Sequence, residues 1–154
     1  MKRTTIIIST LLLLSSARAA TFTVINTNDT GAGSLRAAIS NANLTATLLD
    51  TIDFNITVPA SGVRTIMPAS ALPTIFSPII IDGYTQTGAS PNTLTNADNA
   101  VLLIELHGSN TSGVALNFGS GSSDSVVRGL VINSFSSDAI DTPQDESITN
   151  IVIE

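Results

Sequence analysis

The chain has 154 residues, 43% hydrophobic but only 4% aromatic, with no cysteine or tryptophan. Its 6 Lys and Arg are outnumbered by 12 Asp and Glu, giving a formal charge of −6. That balance excludes nucleic acid and anionic membrane surfaces, which demand clustered cations, as partners. The lack of cysteine excludes a disulfide scaffold.

Lys2 and Arg3 precede an apolar run from Thr4 to Leu14, and Ser15-Ser16-Ala17-Arg18-Ala19 follows. This is the order of a secretory signal peptide, and the small residues Ala17 and Ala19 predict cleavage after Ala19. The run is far shorter than the roughly 20 residues of a membrane helix, so no membrane span is expected in the mature chain. Loss of the leader removes Lys2, Arg3 and Arg18, leaving Arg36, Arg64 and Arg128 against 12 carboxylates, a formal charge near −9. The expected location is secreted or at a bacterial cell surface.

Thr21 to Asn26 alternates and is rich in β-formers, so it predicts a strand. Asn28 to Gly33 is turn material. Ser34 offers an N-cap for a helix running to about Asn43, with Leu35, Ala38, Ile39 and Ala42 forming one apolar stripe. Arg36 lies off that stripe, where it is solvated or paired with a nearby carboxylate. Short strands follow at Asp50 to Ile56, Val63 to Ile66 and Ile79 to Ile81. Pro59, Pro68, Pro73 and Pro78 belong at corners or strand starts, because proline cannot donate to a central ladder. Tyr84 to Asn99 is polar and predicts a loop. Further strands are expected at Val101 to Leu106, Val114 to Phe118, Val126 to Phe135 (bending at Gly129), Ala139-Ile140 and Ile148 to Ile153.

These strands echo one another. Val127 to Asn133 aligns with Ile148 to Glu154 at a spacing of 21, Ala115-Leu116 with Ala139-Ile140 at 24, and His107 with Asn133 at 26. Periods in the twenties carried by β-branched residues predict a stacked coil. The expected fold class is all-β: a right-handed parallel β-helix, in which like residues pile up at about 4.8 Å per layer. A strict six-residue period, the mark of the left-handed form, is absent. The amphipathic helix is the natural cover for the exposed edge of the first coil. The expected organisation is a leader over 1–19, then strand, capping helix and first coil over 20–78. Further coils over 79–154 end in mid-strand at Glu154. Bare apolar columns there predict marginal stability for the isolated chain, with more coils in a longer relative.

The segment Asp29-Thr30-Gly31-Ala32-Gly33-Ser34-Leu35-Arg36-Ala37-Ala38-Ile39, followed by Ala42-Asn43, resembles the CSLREA domain. That domain opens many bacterial secreted β-helix proteins of the pectin-lyase-like class. Asp50 to Phe54, Ala71 to Ile75, Ile81 to Gln86 and Val127 to Asn133 are similar to the stretches that follow it. Two positions depart from the pattern: Ala32 to Ser34 lacks the Cys, and Ala37 stands where Glu is often found. The resemblance implies a parallel β-helix and a large secreted or surface protein.

Candidate chemistry is sparse. Asp138, Asp141, Asp145 and Glu146 could hold Ca²⁺, which takes roughly six to eight oxygens, or form a solvated acidic turn around Pro143. In pectate-lyase-like folds such a calcium bridges a uronate while an arginine acts as base, and Arg128 is the cation in this region. Asp82 and Glu105 occupy comparable strand ends, and stacking on one face would suit them to acid–base glycoside hydrolysis. His107 reads as a corner residue, and Gly31, Gly33 and Gly119 to Ser123 read as turns. Asn133 is a candidate for an asparagine stack. The function expected is a non-enzymatic surface scaffold or adhesin-like protein contacting polysaccharide or cell-surface glycans. The competing readings are a polysaccharide lyase or glycoside hydrolase, and a non-functional truncated fragment.

Overall fold

Alternating Ile, Val and Leu build short strands whose inward side chains meet in one core, and each strand finds a partner in another layer. The computed structural model describes residues 18–45, 48–142 and 147–154. The predicted leader up to Ala17 lies outside the described residues. The strands are β1 (Thr21–Val24), β2 (Asp50–Phe54), β3 (Arg64–Ile66), β4 (Ile79–Asp82), β5 (Ile104–His107), β6 (Leu116–Asn117), β7 (Val126–Arg128), β8 (Leu130–Asn133), β9 (Ile140–Asp141) and β10 (Val152–Ile153). One helix, α1 (Leu35–Ala42), lies between β1 and β2.

Every pairing between these strands is parallel. A first sheet has the order β1-β2-β4-β7-β10, a second β3-β5-β8, and a third β6-β9. Ile75 extends the third sheet through a parallel bridge to Phe118. From β2 onward the chain visits first, second and third sheet in a constant rotation: β2, β3, Ile75; then β4, β5, β6; then β7, β8, β9; then β10.

The registers stack apolar residues on apolar residues. Phe22, Ile52, Ile81, Val127 and Ile153 form one column of the first sheet. Ile66, Leu106 and Ile132 form one in the second, and Leu116 lies beside Ile140 in the third. Ile52, Ile66, Ile81, Leu106, Leu116 and Val127 are all buried, each contributing roughly 1.5–3 kcal/mol of burial energy.

The helix forms as its sequence dictates. Ser34 Oγ accepts from the Ala37 N–H at 3.2 Å, and Leu35, Ala38, Ile39 and Ala42 are all buried against β1 and β2. Arg36 ties the helix to its surroundings. Its Nη2 meets Asp29 Oδ1 at 2.7 Å, and it donates to the carbonyls of Asp29, Ser70 and Ala71. At the other end the Asn43 side chain donates to the Thr74 carbonyl and accepts from the Phe76 N–H, both at 2.8 Å. Those groups flank Ile75 on the edge away from Phe118, so one side chain covers backbone that an earlier strand would otherwise pair.

Three expectations change. The predicted strand Val126 to Phe135 divides into β7 and β8 at Gly129, where φ is +68°, and β8 joins a different sheet. The 21-residue alignment is therefore replaced. Val152 lies opposite Val126 and Ile153 opposite Val127, a spacing of 26, because residues past Gly129 face another neighbour. The predicted strand from Ile148 shrinks to Val152–Ile153. The other two spacings hold: Leu116 pairs with Ile140 and His107 with Asn133. The loop after Tyr84 starts with a 3-10 turn, Gly83–Thr85, and is pinned by an antiparallel bridge between Ser90 and Val101.

Candidate functional site

The outward face of the first sheet carries a polar column in which Thr23, Asp53, Asp82 and Arg128 succeed one another. Arg128 Nη2 meets Asp82 Oδ2 at 2.7 Å, and Asp82 Oδ1 accepts from the Tyr84 N–H at 3.0 Å. The hydrogen bond to Asp82 raises the Arg128 pKa above its ordinary value, and the charges of Asp82, Glu154 and Tyr84 raise it further. A guanidinium held protonated in this way is poorly suited to act as a base.

Glu105 stands on the outward face of the second sheet between Thr65 and Val131. Thr65 Oγ1 donates to it at 2.6 Å and Asn133 Nδ2 at 2.8 Å. The hydrogen bond from Thr65, then that from Asn133, then the charge of His107 lower its pKa. Asp82 and Glu105 therefore do not stack: one belongs to the first sheet and the other to the second. Their similar positions at strand ends hid the corner at Gly83 that separates the two sheets. His107 ends β5, and its Nδ1 accepts from the Ser109 N–H at 3.3 Å.

In the acidic turn, Asp138 is exposed and Asp141 is half-buried on β9. The Asp141 carbonyl accepts from the Phe118 N–H at 2.9 Å. Asp145 and Glu146 lie outside the described residues. Among the described residues no group of three or more His, Cys, Asp or Glu is placed to hold a metal.

The most unusual polar arrangement is one that sequence reasoning missed. Arg64 opens β3 facing inward, only 4% exposed. Its guanidinium donates to the carbonyls of Ile56, Gly62 and Ala60, and the ion pairs among the described residues, Arg36–Asp29 and Arg128–Asp82, do not include it. Of its five N–H groups, three are used in these bonds. It lines a cleft of about 230 Å³ with Asn55, Thr57, Gln86 and Thr87. A buried cation without a counter-ion is costly, and a guanidinium fork matches a planar carboxylate. Hydroxyl and amide groups around it suit the hydroxyls of a sugar. The available signal was the alternation of Arg64 with the inward Ile66, in a chain with only 6 Lys and Arg.

No helix among the described residues is long and apolar enough to cross a membrane. Compared with protein-family models, curated proteins and solved structures, the chain matches none of them significantly.

Proposed function

We propose that the protein is an exported right-handed parallel β-helix whose lateral surface binds acidic glycans at a bacterial cell surface. The constant rotation through three parallel sheets supports the solenoid, and parallel crossovers are right-handed in nearly all cases. The observation that carries the binding reading is Arg64, a buried guanidinium without a carboxylate partner among the described residues, in a cleft whose lining includes the amides of Asn55 and Gln86 and the hydroxyls of Thr57 and Thr87. A uronic acid residue supplies both the missing negative charge and hydroxyls for the rim. The role is recognition by a rigid scaffold.

The test is a titration of the exported protein with galacturonate oligomers and with neutral galactose oligomers, followed by NMR. The acidic series is expected to bind saturably, shifting the amides of Thr57, Gln86 and Thr87. Arg64→Gln is expected to weaken binding at least about tenfold. Equal binding of both series, or shifts elsewhere on the protein, contradicts the reading. Release of unsaturated sugar ends would place the protein among lyases instead.

A further inference from the structure

Asp50 is fully buried at the start of β2, and neither ion pair among the described residues includes it. One of its oxygens accepts from the Thr45 hydroxyl. The other, Oδ1, accepts from the Ala20 backbone nitrogen at 2.7 Å. Ala20 is fixed from its other side as well, since its carbonyl accepts from the Thr51 N–H at 2.9 Å. A buried carboxylate served only by neutral donors bears a large desolvation penalty.

Ala20 is also the residue that follows the predicted cleavage site. Hydrolysis of the Ala19–Ala20 bond adds one water, leaves a carboxylate on Ala19 and frees an α-amine on Ala20. With an ordinary pKa of about 7.7–8.0, that amine is mostly an ammonium at neutral pH. We infer that the α-ammonium of Ala20, created by leader removal, is the counter-ion of Asp50, so that processing fastens β1 onto β2. The inference rests on the export reading for the existence of the cut. The position of the cut is critical. One residue upstream, the group facing Asp50 stays a neutral amide; one residue downstream, both the donor and the Thr51 partner are lost.

The experiment uses the chain with its own leader, exported and purified, in four forms: native, with one Ser inserted between Ala19 and Ala20, Asp50→Asn, and both changes together. The native product is expected to begin at Ala20 by N-terminal sequencing. The insertion moves the ammonium one residue away, and is expected to lower Tm by at least about 5 °C with Asp50 present. It is expected to have no effect in Asp50→Asn. An insertion that is harmless, or equally harmful in both backgrounds, overturns the pairing while leaving export intact. A product that begins at another residue also overturns it, and an uncleaved leader overturns the export reading itself. If Asp50→Asn fails to fold, acylation of the native α-amine decides. Protection of at least about tenfold over the denatured chain supports the pair, and equal reactivity overturns it.

Discussion

The carboxamide of Gln86 serves both backbone groups of Ile56, accepting from its N–H at 2.8 Å and donating to its carbonyl at 3.2 Å. Beside it, Thr85 Oγ1 accepts from the Phe54 N–H at 2.8 Å. β4 ends at Asp82 and the chain turns away through Gly83–Thr85, so two side chains continue the ladder that β2 would otherwise lose. The same carbonyl of Ile56 holds Arg64 Nε, which links this repair to the candidate cleft.

Gln86→Leu leaves the buried Ile56 N–H without a partner and its carbonyl with Arg64 Nε alone. We expect a loss of about 1–3 kcal/mol in chemical denaturation, together with weakened acidic-glycan binding because Arg64 loses its neighbour's support. Unchanged stability would mean that the ladder past Phe54 matters little.

Gly83 and Gly129 meet just past the ends of β4 and β7, adjacent strands of the first sheet. A Cβ on Gly83 would lie 2.1 Å from the Gly129 carbonyl oxygen, and one on Gly129 would lie 2.7 Å from the Tyr84 nitrogen at a φ of +68°. Both obstacles are backbone, so neither can swing aside. Gly83→Ala is expected to cost roughly 1–3 kcal/mol or more, measured by thermal unfolding. Tolerance of alanine would show that the two layers are not held this closely.

Much of the local organisation was legible in the residues. Ser34 and the stripe of Leu35, Ala38, Ile39 and Ala42 defined α1 because capping and helical spacing are short-range effects. Arg36 off that stripe found Asp29, and Gly129 marked the bend. The spacings of 24 and 26 gave true register partners. The 21-residue echo misled because aliphatic runs flank Gly129 on both sides, and pattern alone does not say which run meets Val152. Asp82 and Glu105 misled for a related reason: assignment to a sheet depends on corners, which periodicity does not report. Arg64 and Asp50 were passed over because their partners are mostly backbone groups, the carbonyls of Ile56, Ala60 and Gly62 for one and the Ala20 N–H for the other, which leave no side-chain signature in a sequence.

Glu105 and Asp29 both titrate below the usual carboxylate range, the first through Thr65 and Asn133, the second through its hydrogen bond to Arg36. A carboxylate whose folded pKa is depressed stabilises the fold above its unfolded pKa. That contribution is lost as pH falls through the folded value. Stability is therefore expected to decline on the acid side of the ordinary Glu and Asp range. Thr65→Val should shift the Glu105 titration upward toward 4.5, its unperturbed value, in an NMR pH series. A titration that does not move would remove Thr65 as its main cause.

The central claim, that successive layers stack in parallel at the registers described, is open to direct test because the chain has no cysteine of its own. Adjacent strands lie about 4.8 Å apart, within disulfide reach. Val152 faces Val126 at a spacing of 26, whereas the 21-residue alignment would bring it to Val131. The measurement is the extent of oxidative cross-linking in two double variants, Val126→Cys/Val152→Cys and Val131→Cys/Val152→Cys. The account predicts efficient intramolecular closure in the first and none in the second. Closure in the second alone would contradict it.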